Sequence, residues 1–140
     1  MSEPRRVAPP SGMAPPARVT GPAGDELDLE ALARTTCGRY HVEYTDEDAR
    51  YGEAGRRWCV HDLQHLLNWA VLDVAGLVTL DDQVAWLAKI LEARDFPLDR
   101  LARSLELGAG VVREEVAQGE AVAVALEGAA RTIRERGTFL

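Results

Sequence analysis

The sequence lacks the features that mark several large classes of protein. No apolar run reaches the roughly 18 to 20 residues needed to cross a bilayer, and no apolar segment like that of a signal peptide follows the N-terminus. Basic residues are outnumbered, with 16 Lys and Arg against 23 Asp and Glu, which gives a net charge of -7. Such a charge repels nucleic-acid backbones and anionic membrane surfaces at long range. We therefore expect a cytoplasmic protein with neither nucleic acid nor membrane as its partner.

Cysteine is scarce as well, since Cys37 and Cys59 are the only two. Two cysteines in a chain without a signal peptide are typical of reduced thiols, so we predict no disulfide. The sequence also has no Gly-rich phosphate loop and no nucleophile elbow, which argues against an enzyme. No internal repeat and no convincing alternating strand is present.

Proline is concentrated near the N-terminus, where six of the seven prolines lie between Pro4 and Pro22. This segment is rich in Ala, Gly, Ser and Arg and offers little to bury, so residues 1–24 are predicted to form a disordered arm. The remaining residues, 25–140, are enough for one compact domain, because 46% of the 140-residue chain is apolar.

Residues 25–140 show helical signals throughout. Helix starts are indicated at Asp25 or Asp28, at Thr45, at Thr79 and at Pro97. We expect the first helix to stop near Gly38 and the second to run to about Gly76, with a bend near Gly55. The predicted architecture is an all-α domain of five or six helices.

The most informative stretch is RRWCVHDLQHLLNWA, from Arg56 to Ala70. On a helical wheel its apolar stripe, extended to the end of the helix, consists of Cys59, Leu63, Leu66, Leu67, Ala70, Val74 and Leu77. The acids Asp62 and Asp73 lie on one shoulder of this stripe, beside Trp58 and Trp69. The histidines, His61 and His65, lie further toward the polar side. We therefore expect half-buried acids and more exposed histidines.

Several kinds of chemistry are compatible with this helix. His61 and His65, at positions i and i+4, can face one metal ion, although no third ligand is evident and solvated surface histidines have the same spacing. Cys59 is a poor nucleophile candidate because it lies about 200° from His61 on the wheel. Asp62 and Asp73 are three turns apart, so arginine pairing is the simpler interpretation than acid–base catalysis.

A further alternative is a pocket for a flat apolar ligand such as haem or another tetrapyrrole. Trp58 and Trp69 would form the walls of this pocket, and a histidine or Cys59 would hold the ligand. The simpler interpretation is that Trp and Leu at helical spacing form ordinary core.

Two segments carry a resemblance to a known family. The sequence from Tyr51 to Gly76, YGEAGRRWCVHDLQHLLNWAVLDVAG, and that from Leu80 to Leu107, LDDQVAWLAKILEARDFPLDRLARSLEL, resemble helical regulatory domains of bacterial sensor proteins. Some of those domains precede a cobalamin-binding domain, and they are similar to the globin-like superfamily. The resemblance implies a globin-like fold and a sensor or signalling role. In a globin the proximal histidine ligates haem iron, and the matching candidate here is His65 or His61.

The spacing of Cys59, Asp62 and Trp69 also looks like the bilin-attachment helix of phycobiliproteins. That family's matching cysteine forms a thioether to the chromophore, and its aspartate hydrogen-bonds the pyrrole nitrogens. Asn68 replaces the family's arginine before the aromatic residue, which argues against bilin binding.

The sequence leads to two functional hypotheses. The first is a non-enzymatic bacterial regulatory domain that lacks an output domain of its own and acts through a protein partner or as a homodimer. The alternative is a protein that binds haem, another tetrapyrrole or a metal. Its candidate cofactor-binding residues are Trp58, Cys59, Asp62, His65 and Trp69, and its candidate metal ligands are His61 and His65.

Overall fold

The computed structural model describes residues 14–140 as a small hairpin followed by five helices. Strands β1 (Arg18–Thr20) and β2 (Glu26–Asp28) pair in antiparallel register, with Val19 opposite Leu27. The helices are α1 (Leu29–Glu43), α2 (Glu47–Val74), α3 (Leu80–Ala93), α4 (Leu98–Glu115) and α5 (Glu120–Arg136). The predicted fold of five or six helices is therefore confirmed, whereas the expectation that the chain has no strand was wrong.

The hairpin includes residues that were predicted to belong to the disordered arm. Residues 1–13 of that arm lie outside the described residues, but Arg18–Thr20 form a strand rather than a flexible tail. The backbone around it is hydrogen-bonded, because the Leu29 N–H donates to the Ala17 carbonyl at 2.9 Å and the Gln64 amide donates to the Pro16 carbonyl at 3.1 Å. Composition gave no sign of these bonds, since their partners lie well beyond the proline-rich segment.

The first helix begins where the sequence predicted and ends later. The Asp28 side chain accepts a hydrogen bond from the Ala31 N–H at 3.0 Å, which is the expected N-cap. The helix then passes through Gly38, which was predicted to stop it, and continues to Glu43. Buried Cys37 and Tyr40 explain the continuation, because the packing of these side chains outweighs the low helix propensity of one glycine.

The second helix is interrupted earlier than predicted. Its non-helical residue is Gly52, with φ of 64°, rather than Gly55. A left-handed φ of this kind is accessible to glycine at little cost, so Gly52 is the residue that can provide the bend.

The central part of α2 forms the middle of the core. The predicted stripe members Leu63, Leu66, Leu67 and Ala70 are buried. Val74 and Leu77 were predicted to continue this stripe, but they are 41% and 71% exposed. Val74 is the last residue of the helix, and Leu77 lies beyond it, where the wheel no longer describes the direction of the side chain.

Helices α4 and α5 form an antiparallel pair against α2. Gly108 of α4 allows a close approach, because a Cβ atom there would lie 3.5 Å from Leu67 Cδ2 and 3.9 Å from Leu126 Cδ1. Ion pairs cross the surrounding surface. They join α4 to α5 and to α1 and comprise Arg113–Glu120, Arg113–Glu127, Arg134–Glu106, Arg103–Glu43 and Arg39–Glu114. None of the helices in residues 14–140 is long and apolar enough to cross a membrane.

A buried polar cluster joins α1, α2 and α4, and no pattern in the sequence indicated it. Glu47, only 5% exposed, accepts hydrogen bonds from the Tyr40 hydroxyl at 2.8 Å and from Arg100 Nη1 at 2.7 Å. Arg100 also contacts Asp46 at 3.1 Å and lies over the Tyr44 ring. Burial and the neighbouring carboxylate of Glu47 raise the pKa of Tyr40. The cluster fixes where α2 begins relative to α1 and α4.

Replacing Arg100 with Leu is expected to lower the free energy of unfolding by about 3 kcal/mol or more, because Glu47 would remain buried without its cationic partner. The matched control is Arg57→Leu. Arg57 forms only a loose, exposed pair with Glu53 at 3.9 Å, so its loss should change stability by less than about 1 kcal/mol. Urea unfolding at neutral pH measures both values. Equal, small losses would show that the buried cluster does not hold the three helices.

Candidate functional site

The chemistry-bearing residues of α2 form a continuous band along one side of the helix. His61 Nδ1 lies 3.3 Å from Asp62 Oδ1. The rings of His61 and His65 are 4.9 Å apart between centroids, and those of His65 and Trp69 are 5.6 Å apart. The structure thus brings together four residues that the sequence had selected. Trp58, which is partly buried, lies 11 positions before Trp69, about 16 Å away along the helix axis.

The histidines are more buried than the helical wheel predicted. His65 is 7% exposed, and the side chain of His61 is 13% exposed. The wheel assumed a helix with one solvated face, but α2 is contacted by α1, α3, α4 and α5. The Gln64 side chain between the two histidines also meets the Pro16 carbonyl. The polar side of α2 is therefore partly covered by other elements.

Asp62, which was predicted to be half-buried, has a side chain that is only 15% exposed. Desolvation by burial raises the pKa of its carboxyl group, and the hydrogen bond from His61 opposes this shift. The sequence suggested an arginine partner instead. The charge of Arg94 does act on Asp62, but its effect on the pKa is smaller than those of the neighbouring histidines.

Asp73 has a structural role that differs from the one predicted. Its Oδ1 accepts a hydrogen bond from the Leu80 N–H at 3.1 Å. Leu80 is the first residue of α3, and the N-cap residue Thr79 makes no side-chain capping bond. Asp73 therefore caps the following helix rather than pairing with an arginine, and it does not act together with Asp62.

The cysteines contradict the prediction of two reduced thiols. Cys37 of α1 and Cys59 of α2 form a disulfide, with their Cα atoms 6.1 Å apart. Helix packing places the two residues opposite each other across the α1–α2 interface, within the Cα separation that a disulfide requires. The oxidised Cys59 has no thiol for a thioether bond or for coordination of a metal.

A cleft of about 440 Å³ lies between α1 and α2, next to the disulfide. Its lining includes Cys37 and a group of cationic or titratable side chains, namely Arg34, His41, Arg56, Arg57 and His61. Glu30 is the one acid that lines it. The periodicity of α2 did not indicate this cleft, although the spacing of Cys37 and His41, one helical turn apart, was a signal that could have pointed to it.

His41 is the unusual residue of this cleft. Both of its ring nitrogens are buried, and neither has a hydrogen-bond partner among the described residues. Desolvation, followed by the positive charge of Arg56, lowers the pKa of the imidazole. His41 therefore favours the neutral form, which has one N–H donor and one nitrogen acceptor to offer a bound molecule.

The band and the cleft differ in what they can bind. Within residues 14–140, no group of three or more His, Cys, Asp and Glu side chains is arranged to hold a metal ion. His61 and His65 are close enough to face one ion, so a site there would need further ligands from water or from another molecule. The charged side chains that line the cleft are three arginines and one glutamate, so its chemistry suits an anion better than a cation.

A scan against protein-family models found no match for this chain, and searches of curated proteins and of solved structures found no similar protein either.

Replacing Asp62 with Asn is expected to stabilise the protein at neutral pH relative to the original chain. Because burial raises the carboxyl pKa in the folded state, the folded protein binds more protons than the unfolded one just above the unfolded pKa, and stability falls as pH rises through this range. The advantage of Asn should therefore be present near pH 7 and shrink toward about pH 4.

Urea unfolding at several pH values tests this expectation. Asp82→Asn serves as the control, because Asp82 is exposed in the first turn of α3. An Asp62→Asn variant whose stability difference does not depend on pH would show that the Asp62 carboxyl is solvated.

Proposed function

We propose that this chain is a non-enzymatic regulatory domain, related to the globin-like helical sensors, that acts by contact with a second protein chain. The observation that carries the proposal is the exposure of large apolar side chains around the α2–α3 connection. Val74 is 41% exposed, Leu77 is 71% exposed, and Trp86 of α3 is 43% exposed.

Single exposed apolar residues are common, but these three lie within 13 positions of one another. Tryptophan is enriched at protein–protein interfaces, where its large surface contributes much of the binding energy. Leu77 is also in a connection rather than in a helix, so no core position requires a leucine there. A protein–protein contact surface explains why large apolar residues occupy these exposed positions, whereas packing of the core does not.

The use of charged residues supports the same proposal. Arg39, Arg100, Arg103, Arg113 and Arg134 each pair with an acid on another helix or just before one. These cations therefore contribute to the arrangement of the helices. A domain that regulates by contact requires a fixed arrangement of its helices and an exposed binding surface. It does not require a catalytic group.

The experiment compares Leu77→Ser and Trp86→Ser with Val124→Ser. Val124 is 52% exposed on α5 and provides a matched loss of apolar surface elsewhere. Loss of one buried apolar side chain from an interface costs about 1.5 to 3 kcal/mol, so the dissociation constant of the complex should rise roughly tenfold or more for the first two variants and stay unchanged for the third.

Sedimentation velocity over a range of concentrations shows whether the second chain is another copy of this protein. If the protein is monomeric, a photo-crosslinking residue placed at position 86 or 124 identifies a partner in cells. Crosslinking that is as efficient from position 124 as from position 86 would contradict a specific surface at the α2–α3 connection.

A second candidate function, binding of haem or another tetrapyrrole, is favoured by the burial of His65 between His61 and Trp69. A histidine in this setting can ligate an iron while the indole contacts the macrocycle. Protein produced with a haem precursor should then show a Soret band that His65→Ala removes. A spectrum after addition of haem that equals the sum of the protein and free-haem spectra would count against this candidate.

A further inference from the structure

We infer that Cys37 and Cys59 form a reversible dithiol–disulfide centre, which exchanges with an anionic low-molecular-weight thiol bound in the cleft between α1 and α2. This inference concerns a different surface from the α2–α3 connection and does not depend on the proposed regulatory contact. It is carried by three observations: the position of the disulfide, the charge of the cleft and the unpartnered ring of His41.

The two cysteines differ in whether they line the cleft. Cys37 lines it although it is a core residue that is 4% exposed, whereas Cys59 is only partly buried at the edge of the core and does not line it. A small thiol that enters the cleft therefore reaches Cys37 first. Thiol–disulfide exchange depends on which sulfur is accessible to the attacking thiolate, so Cys37 is the expected point of attack.

The charge of the cleft selects the kind of thiol. The chain as a whole has a net charge of -7, yet three arginines line the cleft beside a single glutamate. Arg34 is neutralised by Glu30 at 2.6 Å and Arg56 by Asp48 at 2.6 Å. Arg57 contacts Glu53 only at 3.9 Å and is the cation most available to a carboxylate on a bound molecule. Arg57 is therefore the residue through which the cleft attracts an anion on an otherwise acidic protein.

His41 supplies the polar contact inside the cleft. It lies four residues after Cys37 on α1, so the two side chains are neighbours on the same helix face. Its buried ring nitrogens have no hydrogen-bond partner in residues 14–140, and unpartnered groups of this kind are uncommon in proteins. A bound thiol or thiolate provides the partner that the imidazole N–H lacks.

The exchange proceeds in two balanced steps. The thiolate of the small molecule attacks Cys37 Sγ, the bond between the two protein sulfurs breaks, and its electron pair leaves on Cys59 Sγ, which takes up a proton. Cys37 is then in a mixed disulfide with the small molecule. A second thiolate attacks the small-molecule sulfur of that mixed disulfide and releases Cys37 as a thiol after protonation. The protein gains two electrons and two protons, and the two small thiols become one disulfide.

The first experiment compares the reduction of the full-length oxidised protein by three thiols: glutathione, which is anionic, 2-mercaptoethanol, which is neutral, and cysteamine, which is cationic. Concentrations are set to give equal thiolate, and free protein thiols are counted by alkylation and intact mass. We expect glutathione to react roughly tenfold faster than cysteamine, because the cleft attracts anions. Equal rates, or a faster reaction with cysteamine, would overturn the inference.

A pair of charge-reversal variants locates the effect. Arg57→Glu should slow the reaction with glutathione by roughly threefold or more and slow the reaction with 2-mercaptoethanol less, because the thiolate of 2-mercaptoethanol carries less negative charge. Lys89→Glu makes the same change in net charge on an exposed position of α3 and should leave both rates unchanged. A loss of the glutathione rate that is the same in both variants would mean that overall charge, rather than the cleft, controls the reaction.

The point of attack is tested with single-cysteine variants and oxidised glutathione. The Cys59→Ser variant, which keeps Cys37, should form the mixed disulfide several-fold faster than the Cys37→Ser variant, which keeps Cys59. The reverse order would refute attack at Cys37. Air-oxidised protein in which both thiols remain free would overturn the disulfide centre as a whole.

Discussion

The arrangement of this protein depends on the burial of one side of α2. Leu66 and Leu67 are almost completely inaccessible, and every other helix contacts α2. Burial of each such side chain contributes about 1.5 to 3 kcal/mol, which makes this stripe the main reason for the helices to assemble around it. A helix surrounded in this way has little solvated surface left. That is why His65, which the periodicity placed toward the polar side, is buried beside Trp69.

Apolar packing alone allows helices to slide and rotate against one another. Charged groups restrict the registers in which the helices can pack. Glu47 is buried where α1, α2 and α4 meet, and its carboxylate is satisfied only when Tyr40 and Arg100 are both in place. An unpaired carboxylate at that position is costly, so alternative registers of α4 against α2 are disfavoured. The exposed ion pairs along α4 contribute less individually, because solvent screens them. The α1–α2 disulfide constrains the same corner covalently.

The two proposed activities use different parts of this framework. The α2–α3 connection exposes apolar side chains that the core does not need, and the α1–α2 cleft gathers cations and an unpartnered imidazole next to a disulfide. Asp73 lies near the first of these surfaces and caps α3, which fixes the direction in which that helix leaves the connection. Both surfaces are supported by rigid helices, so a ligand or partner meets preformed geometry.

Local structure could be predicted from the order of the residues alone: the helical periodicity of the apolar residues, the Asp28 cap, the starts of α3 and α4, and the buried centre of α2 from Leu63 to Ala70. These features depend on residues within a few positions of each other, whose spacing is visible in one chain. Tertiary structure alone decided the β-hairpin, the Cys37–Cys59 bond, the burial of His65 and the exposure of Leu77. Each of these depends on a partner in another element or on where a helix ends, and the periodicity of a single helix contains no information about either.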